Sequence, residues 1–226
     1  MDKHTILKKY ILGLSRGYST SLIVNSPAGL GKTETALETM KELGYEENRN
    51  YKYISNYITP IELFLLLEEV NKLDNPRILI VDDGEEMLKN ERAVGILKGA
   101  LWESNGRRRV NWLSGTYKIK NKEFNFEGRI ILLLNKINRK SALISALIDR
   151  GFYFEFNLTK QEKLQLLRER AKLPYQNIPF NKREEIVDFI SKVGKEENFS
   201  LRVLPKIYNL YLLSPNHFRE LATKLL

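Results

Sequence analysis

The stretch Ser26-Pro27-Ala28-Gly29-Leu30-Gly31-Lys32-Thr33 decides the fold class of this chain. The apolar run Ser21–Asn25 precedes it and predicts a buried strand, and Thr33–Leu43 follows with its apolar residues on one helical face. A glycine-rich turn between a strand and a helix lets backbone N–H groups surround phosphate oxygens, and the positive end of the helix dipole adds to the attraction. The sequence therefore predicts a phosphate-binding loop that extends from Pro27 to Glu34.

Four residues of this loop have distinct expected roles. Gly29 and Gly31 allow backbone angles that residues with side chains resist. The Lys32 ammonium would reach the β- and γ-phosphates of a nucleoside triphosphate, and the Thr33 hydroxyl would ligate magnesium. The strict form of the motif has glycine in place of Ser26, but the tight part of the cradle lies after that position. ATP and Mg²⁺ are therefore the predicted ligands.

A second strand end supplies the acidic groups of the predicted nucleotide site. Ile78–Val81 is an apolar strand pattern, and Asp82 and Asp83 follow it directly. Asp82 would hold magnesium through water, and Asp83 would orient and polarise the attacking water. Aspartate is shorter than the glutamate usual at the second position, so Glu85 and Glu86 are alternative candidates for that role. We prefer Asp83 as the catalytic carboxylate.

Apolar strands alternate with helices up to Asn157, and only helices follow. The predicted strands are Ser21–Asn25, Tyr51–Ser55, Ile78–Val81, Ile130–Leu134 and Phe152–Phe156. Continuous Ile, Leu and Val strands separated by helices indicate a parallel sheet covered on both faces. The helices predicted after them are Lys160–Leu173, Asn181–Val193, Ser200–Leu213 and Asn216–Leu226. We expect an α/β fold with a three-layer, five-stranded parallel core over residues 1–157 and a small helical lid over residues 158–226.

Composition excludes several classes of protein. The 226 residues include no cysteine, which excludes disulfides, thiol catalysis and cysteine-type zinc sites. The two histidines, His4 and His217, are too few for a histidine-rich metal site. No apolar run approaches the roughly 20 residues that cross a bilayer, and no signal peptide is evident, so we expect a cytoplasmic protein without a membrane partner. The net charge of +9 favours polyanionic partners, although plain solubility explains it equally well.

Three further positions make the chain resemble the AAA+ ATPases. Ile130–Leu134 followed by Asn135 resembles the strand that ends in the polar residue called sensor 1. Ser145–Arg150 resembles the helix end that carries an arginine finger, and Phe199–Arg202 resembles the start of the lid helix with the sensor 2 arginine. The resemblance covers nearly the whole chain. The phosphate-binding loop is its most specific part, and the other positions follow in the expected order.

The resemblance implies a role for each of these polar residues. Asn135 would hydrogen-bond the attacking water or the γ-phosphate. Arg150 would reach the ATP of a neighbouring subunit, an effect worth on the order of 10³-fold in rate, with Arg139 as a weaker competitor. Arg202 would touch the γ-phosphate and couple lid position to nucleotide state, although Pro205 would kink its helix or force a later start. A homo-oligomer is therefore expected, with a six-subunit ring as one option.

The segment Ser104–Lys122 predicts a basic β-hairpin that turns at Ser114-Gly115. Its basic residues are Arg107, Arg108, Arg109, Lys118, Lys120 and Lys122, and it contains no acidic residue. The predicted cross-strand pairs are Trp112 with Tyr117 and Val110 with Ile119 on an apolar face, and Asn111 with Lys118 and Arg109 with Lys120 on a cationic face.

This cationic face indicates an anionic partner. Like charges directly opposite each other oppose folding, and phosphates would relieve that cost. The segment resembles the hairpin that AAA+ helicases and branch-migration motors place before sensor 1, which grips DNA in the ring pore. Its lysines and arginines would hold phosphates, and Trp112 or Tyr117 could stack on bases. The alternative is a hairpin that binds no ligand: its charged face is solvated and its aromatic face packs on the core.

Three functions remain open from the sequence. The leading one is an oligomeric, ATP-hydrolysing AAA+ ATPase that acts on DNA in replication, helicase loading or the processing of viral or mobile-element DNA, together with a replication protein as partner. A protein remodeller is the first alternative, because Asn56-Tyr57-Ile58-Thr59 faintly matches an aromatic pore loop. A nucleotide-dependent switch with little turnover is the second, because Asp83 replaces the usual glutamate.

Overall fold

The computed structural model describes residues 1–55, 57–113, 115, 119, 121–135, 137, 139 and 141–226. Its strands are β1 Ser21–Asn25, β2 Tyr51–Ser55, β3 Ile78–Asp82, β4 Arg109–Asn111, β5 Glu123–Asn125, β6 Arg129–Leu134 and β7 Phe152–Glu155. Its helices are α1 Lys3–Ser15, α2 Lys32–Glu42, α3 Pro60–Val70, α4 Glu85–Leu88, α5 Glu91–Leu101, α6 Ala142–Ile148, α7 Lys160–Lys172, α8 Phe180–Val193, α9 Val203–Leu213 and α10 Phe218–Thr223. Within these described ranges, no helix is both long enough and apolar enough to cross a membrane.

The main sheet has five parallel strands in the order β2-β3-β6-β1-β7. The predicted α/β fold with a five-stranded parallel sheet is therefore confirmed. Strands β1, β3 and β6 are adjacent, and their central residues are almost completely buried, as their unbroken apolar sequences require. Because all strands run in one direction, the residues that follow β1, β3 and β6 come together at one edge of the sheet.

Local sequence signals set the ends of several helices. Thr59 caps α3 through a capping box with Glu62, and Pro60 takes the first helical position. Gly44, with φ +74°, follows the end of α2. Helix α9 begins at Val203, so Pro205 lies in its first turn, where a missing backbone donor breaks no helical bond. The later start expected from Pro205 is what the structure has.

The chain divides into two compact units. The first contains residues 1–27 and 32–156, and the second contains residues 28–31 and 157–226. Each unit has its own apolar core; Phe64, Leu97 and Leu132 are fully buried in the first. Helices α7 to α10 form the second core, in which Leu204 and Ile207 are fully buried. The assignment of the first unit as an ATP-binding core and of the second as a lid stays a prediction.

The hairpin register differs from the predicted one. Strand β4 pairs antiparallel with β5, so that Arg109 lies opposite Asn125, Val110 opposite Phe124 and Asn111 opposite Glu123. The predicted pair of Val110 with Ile119 is therefore wrong, whereas the predicted pairs that involve Tyr117, Lys118 and Lys120 cannot be placed on the described residues. The partner strand begins after Lys122, and Ser114, Tyr117, Lys118 and Lys120 lie outside the described residues, as does Asn56.

Packing on the core explains the register. The Phe64 ring lies 5.1 Å from the Phe124 ring and 5.9 Å from the Trp112 ring, centroid to centroid. Burying both aromatic rings against one core residue favours the pairing of β4 with β5. The argument from opposed like charges does not hold at Arg109, because a guanidinium nitrogen of Arg109 lies 3.8 Å from the Glu123 carboxylate.

Candidate nucleotide-binding site

Lys32 and Asn135 meet at the carboxyl edge of the sheet. Lys32 is the first residue of α2 and is only 5% exposed, and its Nζ donates a hydrogen bond to Asn135 Oδ1 at 2.6 Å. Asn135 follows β6 directly, and the parallel ladder continues beside it, because Ser26 N donates to the carbonyl of Leu134 at 2.9 Å. The predicted phosphate-binding lysine and the predicted sensor 1 residue are thus brought together.

The Asp82 carboxylate is the second element of this cluster. Asp82 ends β3 and is 6% exposed. Its Oδ2 accepts a hydrogen bond from Thr33 Oγ1 at 2.7 Å and another from the Tyr53 hydroxyl at 3.1 Å. Its Oδ1 accepts from the backbone N–H of Asp83 at 3.2 Å. The two residues predicted to hold magnesium are therefore in direct contact.

Tyr53 also belongs to this cluster, although no sequence pattern predicts it. The ladder places Ser55 level with Asp82, and Tyr53 lies two residues earlier on β2. Only the length of the tyrosine side chain carries its hydroxyl to the carboxylate, and no sequence motif reports that. Burial raises the pKa of the Tyr53 hydroxyl, and the nearby Asp82 charge adds to this effect.

Asp83 and Glu85 both contact Asn135, but through different atoms. The Asn135 side-chain amide donates to Asp83 Oδ1, whereas the Asn135 backbone N–H donates to Glu85 Oε1. Asp83 has a φ of +54°, in the left-handed region that aspartate tolerates better than most side-chained residues. Residues held there cluster at functional sites. Glu86 forms an ion pair with Lys89 instead.

The two candidate finger arginines contact their own chain. The Arg150 guanidinium carbon lies 4.8 Å from the centroid of the Trp102 ring, and Nη1 donates to the carbonyl of Ala146. Its buried Nε has no hydrogen-bond partner among the described residues. Arg139 lies 4.7 Å from the Tyr153 ring and 3.9 Å from a Glu155 carboxylate oxygen.

Gly29 and Arg202 lie close together in the second unit. Gly29 has φ +77°, and its carbonyl accepts from the backbone N–H of Leu201 at 2.7 Å. A Cβ at Gly29 would lie 2.8 Å from the Cβ of Ser200 and 3.4 Å from the Cγ of Arg202. Any side chain there would collide, so the glycine is required for close approach as well as for its backbone angle. Arg202 is exposed and immediately precedes α9.

The hairpin arginines differ in their surroundings. Arg107 and Arg109 are exposed. Arg108 points into the protein, where Nη1 donates to the carbonyls of Ala100 at 3.2 Å and Gly128 at 2.8 Å. Burial lowers the pKa of Arg108, and the Arg129 charge contributes further. Arg108 therefore ties the hairpin to the core rather than presenting a charge to a ligand.

Trp112 is also engaged with the protein. It is half-buried and packs on the first core, and its backbone N–H donates to the carbonyl of Lys122 at 2.8 Å. At Trp112 this matches the alternative of a hairpin without a ligand, in which the aromatic face packs on the core.

The residues present fit ATP and Mg²⁺. Gly29 and Gly31 have positive φ, a conformation that glycine adopts readily. Because glycine carries no side chain, the loop backbone stays open to phosphate at these two positions. Among the described residues, no group of three or more His, Cys, Asp or Glu side chains could hold a metal alone. A hydroxyl and one carboxylate are what Mg²⁺ needs when nucleotide phosphates supply further oxygens. Of the other loop residues, Leu30 is buried, and Pro27, Ala28 and Glu34 are exposed.

The fold defined by this sheet order and these helices is that of the AAA+ ATPases. RuvB of Thermotoga maritima superposes with a TM-score of 0.60 at 15% identity, covering 98% of this chain and 68% of RuvB. DnaA of Aquifex aeolicus bound to AMPPCP gives 0.57 at 16% identity, covering 96% of this chain and 62% of that one. DnaA bound to AMPPCP and single-stranded DNA gives 0.53 at 16% identity, covering 93% and 60%. The chain thus spans about two thirds of the length of these proteins or slightly less.

A relative at the sequence level comes from a virus. The chain is 26% identical over 234 residues to an uncharacterized 36.7 kDa protein from the nrdC-mobD intergenic region of Enterobacteria phage T4. The match covers 93% of this chain and 69% of the phage protein. No protein-family model matches the chain.

Proposed function

We propose that this chain binds ATP with Mg²⁺ and hydrolyses it. The observation that carries the proposal is the convergence of Lys32, Thr33, Asp82 and Asn135 at one edge of a sheet with the AAA+ strand order. Lys32 holds phosphate oxygens, Thr33 and Asp82 hold the metal, and the backbone N–H groups that follow Pro27, as far as Glu34, supply amide donors. Bound Mg²⁺ supplies charge neutralisation at the phosphates.

Asp83 is the proposed catalytic carboxylate. Its carboxylate accepts a hydrogen bond from the Asn135 amide and keeps further lone pairs, with which it can orient and polarise an attacking water. Glu85 contacts only the Asn135 backbone N–H in the described structure, which suits a residue that positions Asn135. This difference in contacts favours Asp83 over Glu85 for the chemical step.

Hydrolysis at subunit interfaces is the second part of the proposal. Arg150 lies against Trp102, which is 57% exposed, so a neighbouring copy could cover both side chains. In this arrangement Arg150 stabilises charge that builds on the phosphates held by the neighbour. Arg202 is the proposed second arginine, because its segment contacts Gly29 of the phosphate-binding loop within the second unit.

Nucleic acid is the proposed substrate, with replication or viral DNA processing as the context. The net charge of +9 and the exposed Arg107 and Arg109 support an anionic partner. One DnaA structure of the same fold is bound to single-stranded DNA, and the sequence relative is a phage protein. Lys118 and Lys120 remain candidate phosphate contacts by prediction, and a partner replication protein is compatible with this role.

The test is ATP turnover by the purified protein with Mg²⁺, alone and with single- or double-stranded DNA. We expect hydrolysis that DNA raises several-fold. Absence of ATP binding by calorimetry at millimolar nucleotide would refute the whole proposal, whereas turnover without any DNA effect would refute its nucleic-acid part only.

Protein remodelling is the second candidate function. Tyr57 follows β2 and is 61% exposed, as an aromatic residue that grips an extended polypeptide must be. Stimulation of ATP turnover by a casein-like unfolded protein, and not by DNA, would favour this candidate. A Tyr57→Ala variant would then lose the stimulation while keeping basal turnover.

A further inference from the structure

The Asp82 carboxylate is oriented by three donors from three different places in the chain. Oδ2 accepts from the hydroxyls of Thr33 at 2.7 Å and Tyr53 at 3.1 Å, and Oδ1 accepts from Asp83 N at 3.2 Å. Among the described donors, Oδ1 therefore accepts one hydrogen bond and Oδ2 accepts two. A carboxylate oxygen has about two lone-pair sites, so Oδ1 keeps one for a further donor.

Thr33 and Tyr53 differ in what they can offer a metal. The Thr33 hydroxyl can donate its hydrogen to Asp82 and still present a lone pair to a cation. The Tyr53 hydroxyl comes from the neighbouring strand β2, on which Ser55 rather than Tyr53 lies level with Asp82. A phenol that donates a hydrogen bond to a metal-binding carboxylate is an outer partner, which fixes the orientation of the ligand.

We infer that Tyr53 is a positioning residue for Asp82, and that its hydroxyl sets the affinity of the site for Mg²⁺. The inference rests on the proposed function, since it takes Asp82 and Thr33 as the metal-holding pair. The rigid β2–β3 pairing holds the phenol in place, so the plane of the carboxylate is set before the cation arrives. Loss of the hydroxyl leaves the carboxylate with two described donors instead of three, Thr33 Oγ1 on Oδ2 and Asp83 N on Oδ1, so its orientation is less restrained.

The experiment compares Tyr53→Phe with Tyr51→Phe. Both residues lie on β2, two positions apart on one face of the strand, and Tyr51 lies opposite Ile78, four residues before Asp82. Binding of a fluorescent ATP analogue is measured by anisotropy while Mg²⁺ is titrated, and again in EDTA. We expect Tyr53→Phe to raise the Mg²⁺ midpoint, the Mg²⁺ concentration at which half of the Mg²⁺-dependent increase in binding is reached, by about 10-fold or more. This is a typical effect of losing an outer partner. Binding in EDTA should stay unchanged, and Tyr51→Phe should match the wild type in both conditions.

A double-mutant cycle separates positioning from folding. In an Asp82→Asn background, adding Tyr53→Phe should leave the Mg²⁺ midpoint where Asp82→Asn has already moved it, because the two groups act as one unit. Loss of one hydrogen bond is a small perturbation in a chain of this length, so the melting temperature of Tyr53→Phe should fall by only about 2–4 °C.

The outcomes distinguish this inference from the proposed function. An unchanged Mg²⁺ midpoint for Tyr53→Phe, or an equal loss of affinity with Mg²⁺ and in EDTA, would overturn the role of Tyr53 and leave the proposed function standing. A wild-type protein whose nucleotide affinity does not depend on Mg²⁺ would overturn the proposed function and the inference with it.

Discussion

Lys32 and Asn135 lie 103 residues apart in the sequence, and a hydrogen bond of 2.6 Å joins Lys32 Nζ to Asn135 Oδ1. The same Asn135 contacts Asp83 through its side-chain amide and Glu85 through its backbone. The first residue of α2 is therefore connected to the acidic end of β3 through a single side chain. Changes at any of these positions should therefore affect the others.

Replacing Lys32 with alanine should remove ATP binding. The ammonium is the cation of the proposed phosphate site, and truncating one partner of a charged, desolvated contact typically costs about 2–5 kcal/mol. Calorimetry with Mg²⁺–ATP measures the effect. Lys41→Ala is the matched control, because Lys41 is an exposed lysine on the same helix and should leave the affinity unchanged. Equal affinities for both variants would contradict the site.

The Asp83→Asn and Glu85→Gln variants should show which of the two residues is the catalytic carboxylate. Asp83→Asn should lower kcat by about 10²–10⁴-fold, the usual contribution of a general acid or base, with little change in ATP affinity. Glu85→Gln keeps an oxygen that can accept from the Asn135 backbone, so its loss should be smaller. Steady-state kinetics give both values. A larger loss for Glu85→Gln would exchange the two roles.

Mixed subunits should reveal shared active sites. Arg150→Ala removes the proposed finger and Lys32→Ala disables the phosphate site, so each variant alone should hydrolyse little ATP. Mixing them restores interfaces at which an intact Lys32 meets an intact Arg150 from the neighbour, and turnover should reappear. Arg139→Ala mixed with Lys32→Ala is the control. If the mixture stays as inactive as its components, Arg150 does not act between subunits.

The hairpin arginines should divide into two classes. Changing Arg107 and Arg109 together to alanine should weaken DNA binding and lower the slope of log K against log salt by about 1.4–1.8, if each contacts one phosphate. Arg108→Ala should instead lower thermal stability, because it leaves the carbonyls of Ala100 and Gly128 without this donor. Fluorescence anisotropy at several salt concentrations and thermal melts measure the two effects. An unchanged salt slope in the double variant would remove the hairpin from the DNA contact.

Two glycines on α5 should respond oppositely to alanine. A Cβ at Gly99 would lie 2.6 Å from the carbonyl oxygen of Arg109, so Gly99→Ala should force β4 away and destabilise the protein by about 1–3 kcal/mol. A Cβ at Gly95 meets nothing within 4 Å, so Gly95→Ala should stabilise the helix by about 0.5–1 kcal/mol. Denaturant unfolding measures both. Similar effects at the two positions would contradict the close packing of β4 on α5.

Most of the sheet and part of the candidate site could be predicted from local patterns. The β1 and β6 strands are continuous apolar runs, which only a sheet covered on both faces accommodates. Lys32 and Asp82 could be found because each directly follows a recognisable element. The hairpin register could not be predicted, because it depends on burying Phe124 against Phe64, and these residues are distant in sequence.

The sequence by itself determined the order of strands and helices, the phosphate-binding loop, and the polar residues at the end of β3 and directly after β6. These features could be predicted because periodicity and turn chemistry are short-range properties of the chain. Only the tertiary structure decided which groups meet. It brought the Tyr53 hydroxyl to Asp82, divided Asn135 between Asp83 and Glu85, and turned Arg108 inward while Arg107 stayed exposed. The physical reason is that these contacts depend on side-chain reach and on core packing between segments far apart in sequence, which no local pattern encodes.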